Sequence, residues 1–295
     1  MSRPGGPSVA GTANGTGAPG YRARRTLSFR VEFARQLRRW RTIVAFAVLL
    51  GLPWVLAGAF ELSRPSTGGG TVPGLVTEAT RGGLNFAAFS VFVSAGFLLV
   101  LVVALFCGDT VASEASWSSL RYLLAIPVPR ARLLRQKLAV ALAYAGLGVV
   151  SLPLMALLAG TVVFGWHPLR LPGTGTELTA GPALGRMLIV VAYVLVSELA
   201  VAGLAFLLSV CTDSPLGAVG GAVGLMIVSA ILDQVTALGP WRQVLPSHFQ
   251  FAWLDAMAPQ LSWAAMAEGA AVSAGYALVL VALAFRRFQR KDILS

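Results

Sequence analysis

Few residues in this chain are of types that do chemistry, and their positions narrow what that chemistry is. Glu198 falls within a long apolar run, next to Ser197. A carboxylate at such depth costs about 3 kcal/mol unless it is protonated, paired or turned to water. Two readings stay open: a functional site, or a protonated group bonded to a neighbouring helix. Asp233, near the end of another run, is expected to reach headgroup water. Gly217 with Gly221, and Gly220 with Gly224, form two overlapping GxxxG patterns that permit close helix approach, inside the chain's own bundle or at a seam lining a pathway. His167 and His248 lie in different loops and no His, Cys or carboxylate cluster has ligand spacing, so no metal site is expected. Lys137 and Lys291 are the two lysines, and neither follows the Gly-rich run of a phosphate-binding loop. There is no Gly-x-Ser-x-Gly elbow either. A catalytic site and a cofactor are therefore not expected in this chain.

The elements that must hold these residues follow from composition. Of 295 residues, 56% are hydrophobic and 12% charged, too few charges to clothe a water-soluble domain of this size. The expected fold class is all-α: a polytopic membrane protein of six transmembrane helices, preceded by an amphipathic interfacial helix. The six apolar runs are residues 43–60, 86–106, 138–164, 187–210, 216–235 and 264–285. They are read as helices because a lipid-exposed strand edge would leave backbone amides unpaired, and no alternation of the barrel kind is present. Residues 1–26, rich in Gly, Pro, Ser and Thr, are expected to form a disordered cytoplasmic tail, and 27–295 one membrane domain. Arg24-Arg25 has the look of a twin-arginine export signal, but five further arginines separate the pair from the first apolar run.

Orientation follows from the positive residues. The segment before residue 43 holds nine Lys and Arg, residues 107–137 five and the C-terminal tail four, whereas Arg64, Arg81, Arg170, Arg186 and Arg242 fall on the other side. Eighteen against five places both termini in the cytoplasm of a plasma (inner) membrane protein. Cys107 and Cys211 then lie at cytoplasmic helix ends, where thiols stay reduced. Trp166, Trp241, Trp253 and Trp263 fall in or beside the outer loops, as an interfacial aromatic belt would. Residues 239–262, proline-broken and apolar, suggest a half-inserted hairpin near the outer face, with a possible use as an outer gate.

Ahead of the first run, Phe29, Phe33, Leu37 and Trp40 recur at helical spacing between residues 28 and 41, with Arg30, Arg35, Arg38, Arg39 and Arg41 on other faces. This reads as a helix lying flat on the inner leaflet, its arginines reaching anionic headgroups. Between the second and third runs the chain stays polar past Asp109 and Glu114. It then carries a stripe of Trp117, Leu120 and Leu124, breaks at Pro127 and Pro129, and resumes as a basic helix from Arg130 to Lys137. Two helices meeting at a proline turn make a stiff projection whose apolar stripe needs a partner.

These residues resemble the permease subunits of ABC-2 type ABC transporters. Those chains carry after their second span an acidic residue, the start of a coupling helix, a Leu-Leu pair, a Pro-Val-Ser-Arg-like turn and a Lys opening the third span. The matching residues are Glu114, Leu120, Leu123, Leu124, Pro127, Val128, Arg130 and Lys137; Ser118, Ser119 and Pro129 depart from the usual Gly, Thr and Ser. The resemblance implies a dimer of permeases, homo- or heteromeric, each seated on a separate ATPase subunit that binds ATP and Mg and docks on this loop. By resemblance alone, export is favoured over import. Two other functions fit the same chain: a secondary carrier driven by protons at Glu198, and a non-transporting membrane scaffold that recruits a cytosolic protein through the loop. No nucleic-acid partner is expected, because the positive charge is scattered between apolar runs.

Overall fold

The computed structural model describes residues 29–63, 74–116, 130–172 and 174–290. It is an all-α molecule. A short helix α1 (Phe29–Leu37) leads into α2 (Trp40–Leu62), then α3 (Gly74–Ala79), α4 (Gly83–Ala95), α5 (Leu98–Ser116) and α6 (Arg130–Phe164). After a two-residue β-pair, β1 (Leu169–Arg170) against β2 (Glu177–Leu178), come α7 (Ala180–Cys211) and α8 (Pro215–Asp233). Two 3₁₀ helices, Thr236–Val244 and Ala252–Met257, precede the last helix, α9 (Ala264–Arg290).

Five of these helices, α2, α6, α7, α8 and α9, are long and apolar enough to cross a membrane, and the bent pair α4 and α5 makes six if it counts as one span. The chain is thus a multi-pass membrane protein of five to six candidate spans. Residues 86–106 do not form the single expected rod: α4 and α5 meet at 59°. A side chain from a distant part of the sequence stabilises the break. The break falls at Gly96 and Phe97, and the Ala95 carbonyl accepts a hydrogen bond of 2.7 Å from Gln250 Nε2, so a side chain takes the place of a helical amide. Ser214 caps α8 by accepting from the Gly217 amide at 3.2 Å, with Pro215 in the first turn.

Helix α5 lies at the centre, packed against α6, α7 and α8, while α4 packs on α6, α2 on α6, and α9 along α7. Glycines set the closest approach. A Cβ added at Gly160 of α6 would stand 2.9 Å from Gly83 Cα and 2.9 Å from the Phe86 ring, so α4 and α6 meet backbone to backbone there. The core fills with Phe86, Phe206, Tyr144, Leu99 and Leu152, all fully buried.

The 236–258 region differs from the expected hairpin. Its prolines permit only short 3₁₀ turns, and these lie against the bundle end, tied down by polar contacts. Tyr193 donates to the Phe249 carbonyl (2.6 Å), Tyr276 to that of Val244 (2.8 Å), and Arg186 to those of Ala256, Ala258 and Pro259. Asp233 does not simply face headgroup water. It accepts from His248 Nδ1 at 2.5 Å and lies 3.5 Å from Arg242 Nε, which fastens the end of α8 to the same segment. Trp253 departs from the expected belt: it is 1% exposed, whereas Trp166, Trp241 and Trp263 are all more than half exposed.

Candidate functional site: an ionic cluster joining four helices

At the bundle end formed by α1, the start of α2, the end of α5 and the start of α6, two buried carboxylates are gripped by basic side chains. Glu114 of α5 accepts from Lys137 Nζ of α6, a pair whose side chains are 6% and 8% exposed. The same oxygen, Oε1, lies 3.3 Å from Arg35 Nη2 of α1, and Arg35 also bonds Glu32 at 2.8 Å. One and a half turns earlier on α5, Asp109 accepts from Arg41 at the start of α2 and from Arg39 Nη1 at 3.3 Å. Burial works against the Arg35 charge, but Glu32 and Glu114 more than offset it and hold the guanidinium above its ordinary range. Tyr144 of α6 adds a neutral tie, its hydroxyl donating to the Phe33 carbonyl at 2.6 Å with the two rings stacked at 4.4 Å.

The arrangement follows from local sequence. Asp109 and Glu114 are five residues apart on one helix, in a region buried by neighbouring spans, and each needs a cation there. Arg35 of α1, Arg39 and Arg41 around the start of α2, and Lys137 two turns into α6 supply them. Such a cluster has no nucleophile and no vacant ligand set; what it does is fix the relative positions of four helix ends.

The expected interfacial helix is split by the structure. Helix α1 ends at Leu37, and Trp40 begins α2. Of the four predicted apolar contacts, Phe33 packs on Tyr144 and Phe29 stacks on Phe33 at 5.8 Å, whereas Leu37 and Trp40 are 52% and 76% exposed. Gln36 is the buried residue of α1. Nor do the arginines all face outward as a headgroup-binding face would require: Arg35, Arg39 and Arg41 turn to Glu32, Glu114 and Asp109, because paired carboxylates in a buried site are the stronger attraction.

Of the loop residues carrying the resemblance, Glu114 and Lys137 are brought together and Arg130 is the first residue of α6. Trp117, Leu120, Leu123, Leu124 and Pro127 lie outside the described residues, as does the tail 1–26. Glu198 is 6% exposed on α7, and its Oε2 has no hydrogen-bond partner among the described residues. The α8 glycines divide. A Cβ at Gly221 would meet Leu208 of α7 at 3.2 Å, one at Gly217 would meet its own cap Ser214, and those at Gly220 and Gly224 would meet nothing within 4 Å. The residue missed by sequence reasoning is Asp109 as a paired group. The signal was present: a carboxylate two residues past Cys107, just beyond an unbroken apolar run, must find a positive partner.

Fold and cluster together define a multi-pass helical membrane protein with ionic bonds concentrated at one end of the bundle. The chain belongs to the family described as "Protein of unknown function (DUF2705)", whose model matches residues 72–294. No curated protein matches it.

Proposed function

We propose that this chain is the membrane-spanning permease subunit of an ABC-2 type transporter, driven by a separate ATPase that binds ATP and Mg. In this reading it has six spans, both termini are cytoplasmic, α1 lies along the inner leaflet of the plasma membrane, and two permeases pair to export substrate by alternating access. The observation that carries the reading is the Glu114–Lys137 pair. These two residues bracket the 117–129 segment in sequence and belong to the motif behind the resemblance. Their contact clamps the ends of α5 and α6 together, so a push on the intervening segment is delivered to both helices at once. Because α5 packs on α6, α7 and α8, a displacement of its end is passed into the middle of the bundle.

The test is whether an ATP-binding-cassette ATPase is encoded beside this chain and co-purifies with it when tagged, followed by flux in vesicles. Wild type retains the ATPase and flux requires ATP; Leu124→Asp releases the ATPase while the chain still inserts. An ATPase retained undiminished by Leu120→Asp and Leu124→Asp rules out the docking face. A second reading draws on Glu198, whose buried Oε2 has no hydrogen-bond partner among the described residues: a proton-coupled carrier, in which flux collapses with the proton gradient and survives ATP depletion.

A further inference from the structure

At the bundle end opposite the ionic cluster, a cavity of about 240 Å³ opens between α3, α4, β1 and the second 3₁₀ helix. Its wall is almost wholly apolar, built from Phe89 and Phe92 of α4, Leu169 of β1, Pro172, and Leu254 and Met257. For comparison, an apolar cavity of about 150 Å³ stays dry and accepts a benzene ring. This one has room for a longer hydrocarbon.

Two polar residues of the wall stand out. Trp253 is 1% exposed, yet its indole Nε1 has no acceptor among the described residues. A buried indole N–H is a donor only and ordinarily finds a partner. Arg170 also has a buried Nε without an acceptor, and no carboxylate among the described residues forms an ion pair with it, Glu177 included, although the two are cross-strand partners. The backbone of Arg170 is fixed by Asn85, whose side chain bonds its carbonyl at 2.8 Å and its amide at 3.0 Å. Its guanidinium lies over the turn at Gly175, where φ is +67° and a Cβ would come within 2.9 Å of Nη2. Glu78, whose buried Oε2 also has no hydrogen bond, borders the cavity too, but it lies 3.2 Å from Arg81 and forms no ion pair with Arg170.

We infer that this cavity binds an alkyl chain bearing an anionic head, the chain lying among Phe89, Phe92 and Met257 and the head accepting from Trp253 and Arg170. Two buried donors without acceptors beside an apolar space are complemented by a carboxylate or phosphate on a hydrocarbon, since the anion satisfies both donors and the guanidinium charge. Access from the bilayer side fits the exposure of the rim: Phe92 and Leu254 are 36% and 41% exposed and continue the apolar surface. The site lies away from the ionic cluster and does not rest on the ATPase-coupling reading.

The test uses the full chain in detergent and three bromine-labelled probes that quench tryptophan on contact: stearate, phosphatidylglycerol and stearyl alcohol. One or both anionic probes are expected to quench a saturable fraction of the emission, and which of them does so tells a free acid from a membrane lipid. That fraction disappears in Trp253→Phe. Half-saturation shifts upward about tenfold in Arg170→Gln, and by a similar factor for the alcohol on wild type. Ala88→Phe, which fills cavity space while keeping both donor residues, abolishes the effect with the melting transition retained. The inference is overturned if the alcohol quenches as well as both anions, if the saturable fraction persists in Trp253→Phe, or if Ala88→Phe leaves it intact. Should Arg170→Gln fail to fold, the comparison of anion with alcohol on wild type and the Ala88→Phe result still decide.

Discussion

Lys137 and Glu198 are both buried ionisable side chains, and the structure treats them differently. Lys137 has Glu114 as its partner, so removing it takes away the buried cation of a buried carboxylate and leaves the half-exposed Arg35 at 3.3 Å to compensate it. Lys137→Met is therefore expected to lower stability by about 3 kcal/mol, read from thermal unfolding in detergent. Adding Glu114→Gln to that variant recovers part of the loss, because the poorly compensated charge goes with it; a double variant weaker than the single one would contradict the pairing. For Glu198 the sign reverses. Its Oε2 has no hydrogen-bond partner among the described residues, so Glu198→Met removes a buried polar atom without a bond and leaves the unfolding transition unchanged or raised by about 1 kcal/mol. A fall of the size seen for Lys137→Met would show that the carboxylate is held by bonds that matter to the fold.

At the scale of the helices, the glycines separate into those that define an interface and those that do not. Gly83 and Gly160 sit where α4 and α6 touch; even a methyl group there must displace backbone, so Gly160→Ala is expected to cost about 1 to 3 kcal/mol by overpacking. Gly220→Ala and Gly224→Ala meet no neighbour within 4 Å among the described residues and should raise helix stability by up to about 1 kcal/mol in the monomer. If the exposed α8 face is the seam of the proposed dimer, Gly220→Leu with Gly224→Leu weakens self-association in sedimentation while leaving the monomer's unfolding intact. Sequence spacing alone singled out the α8 glycines and passed over Gly83 and Gly160, because a GxxxG pattern lies within one helix whereas a Gly–Gly contact between helices has no local signature. The same distinction runs through the rest of the fold. The long apolar runs were readable because they are local. The break at Gly96 was not, because the group that stabilises it, Gln250, comes from a segment 155 residues away. Likewise the arginine run was legible as charge but not as a set of partners: which arginine finds Asp109 and which finds Glu114 depends on how four helix ends converge.

For the whole molecule, the two cysteines report on arrangement without engineering. Cys211 is exposed at the end of α7 and Cys107 is fully buried in α5. Under the proposed orientation, a membrane-impermeant maleimide labels Cys211 in inside-out vesicles and not in intact cells, and Cys107 reacts only after denaturation. Labelling of Cys211 from outside the cell would reverse the topology and with it the docking of any cytosolic ATPase. Mass spectrometry of the modified chain tells the two sites apart.

The jointed span has a mechanical corollary for the proposed coupling. A straight rod pushed at one tip moves its other tip by as much; a rod with an elbow of 59° at mid-length lets the near half swing while the far half stays seated. Helix α4 is wedged against α6 at Gly83 and Gly160, so the stroke belongs to α5 and to the end of α6 clamped to it, and its sweep is felt by α7 and α8. Straightening the elbow, by taking away the Gln250 amide that props it open, would stiffen the crank and carry the motion to the far rim as well.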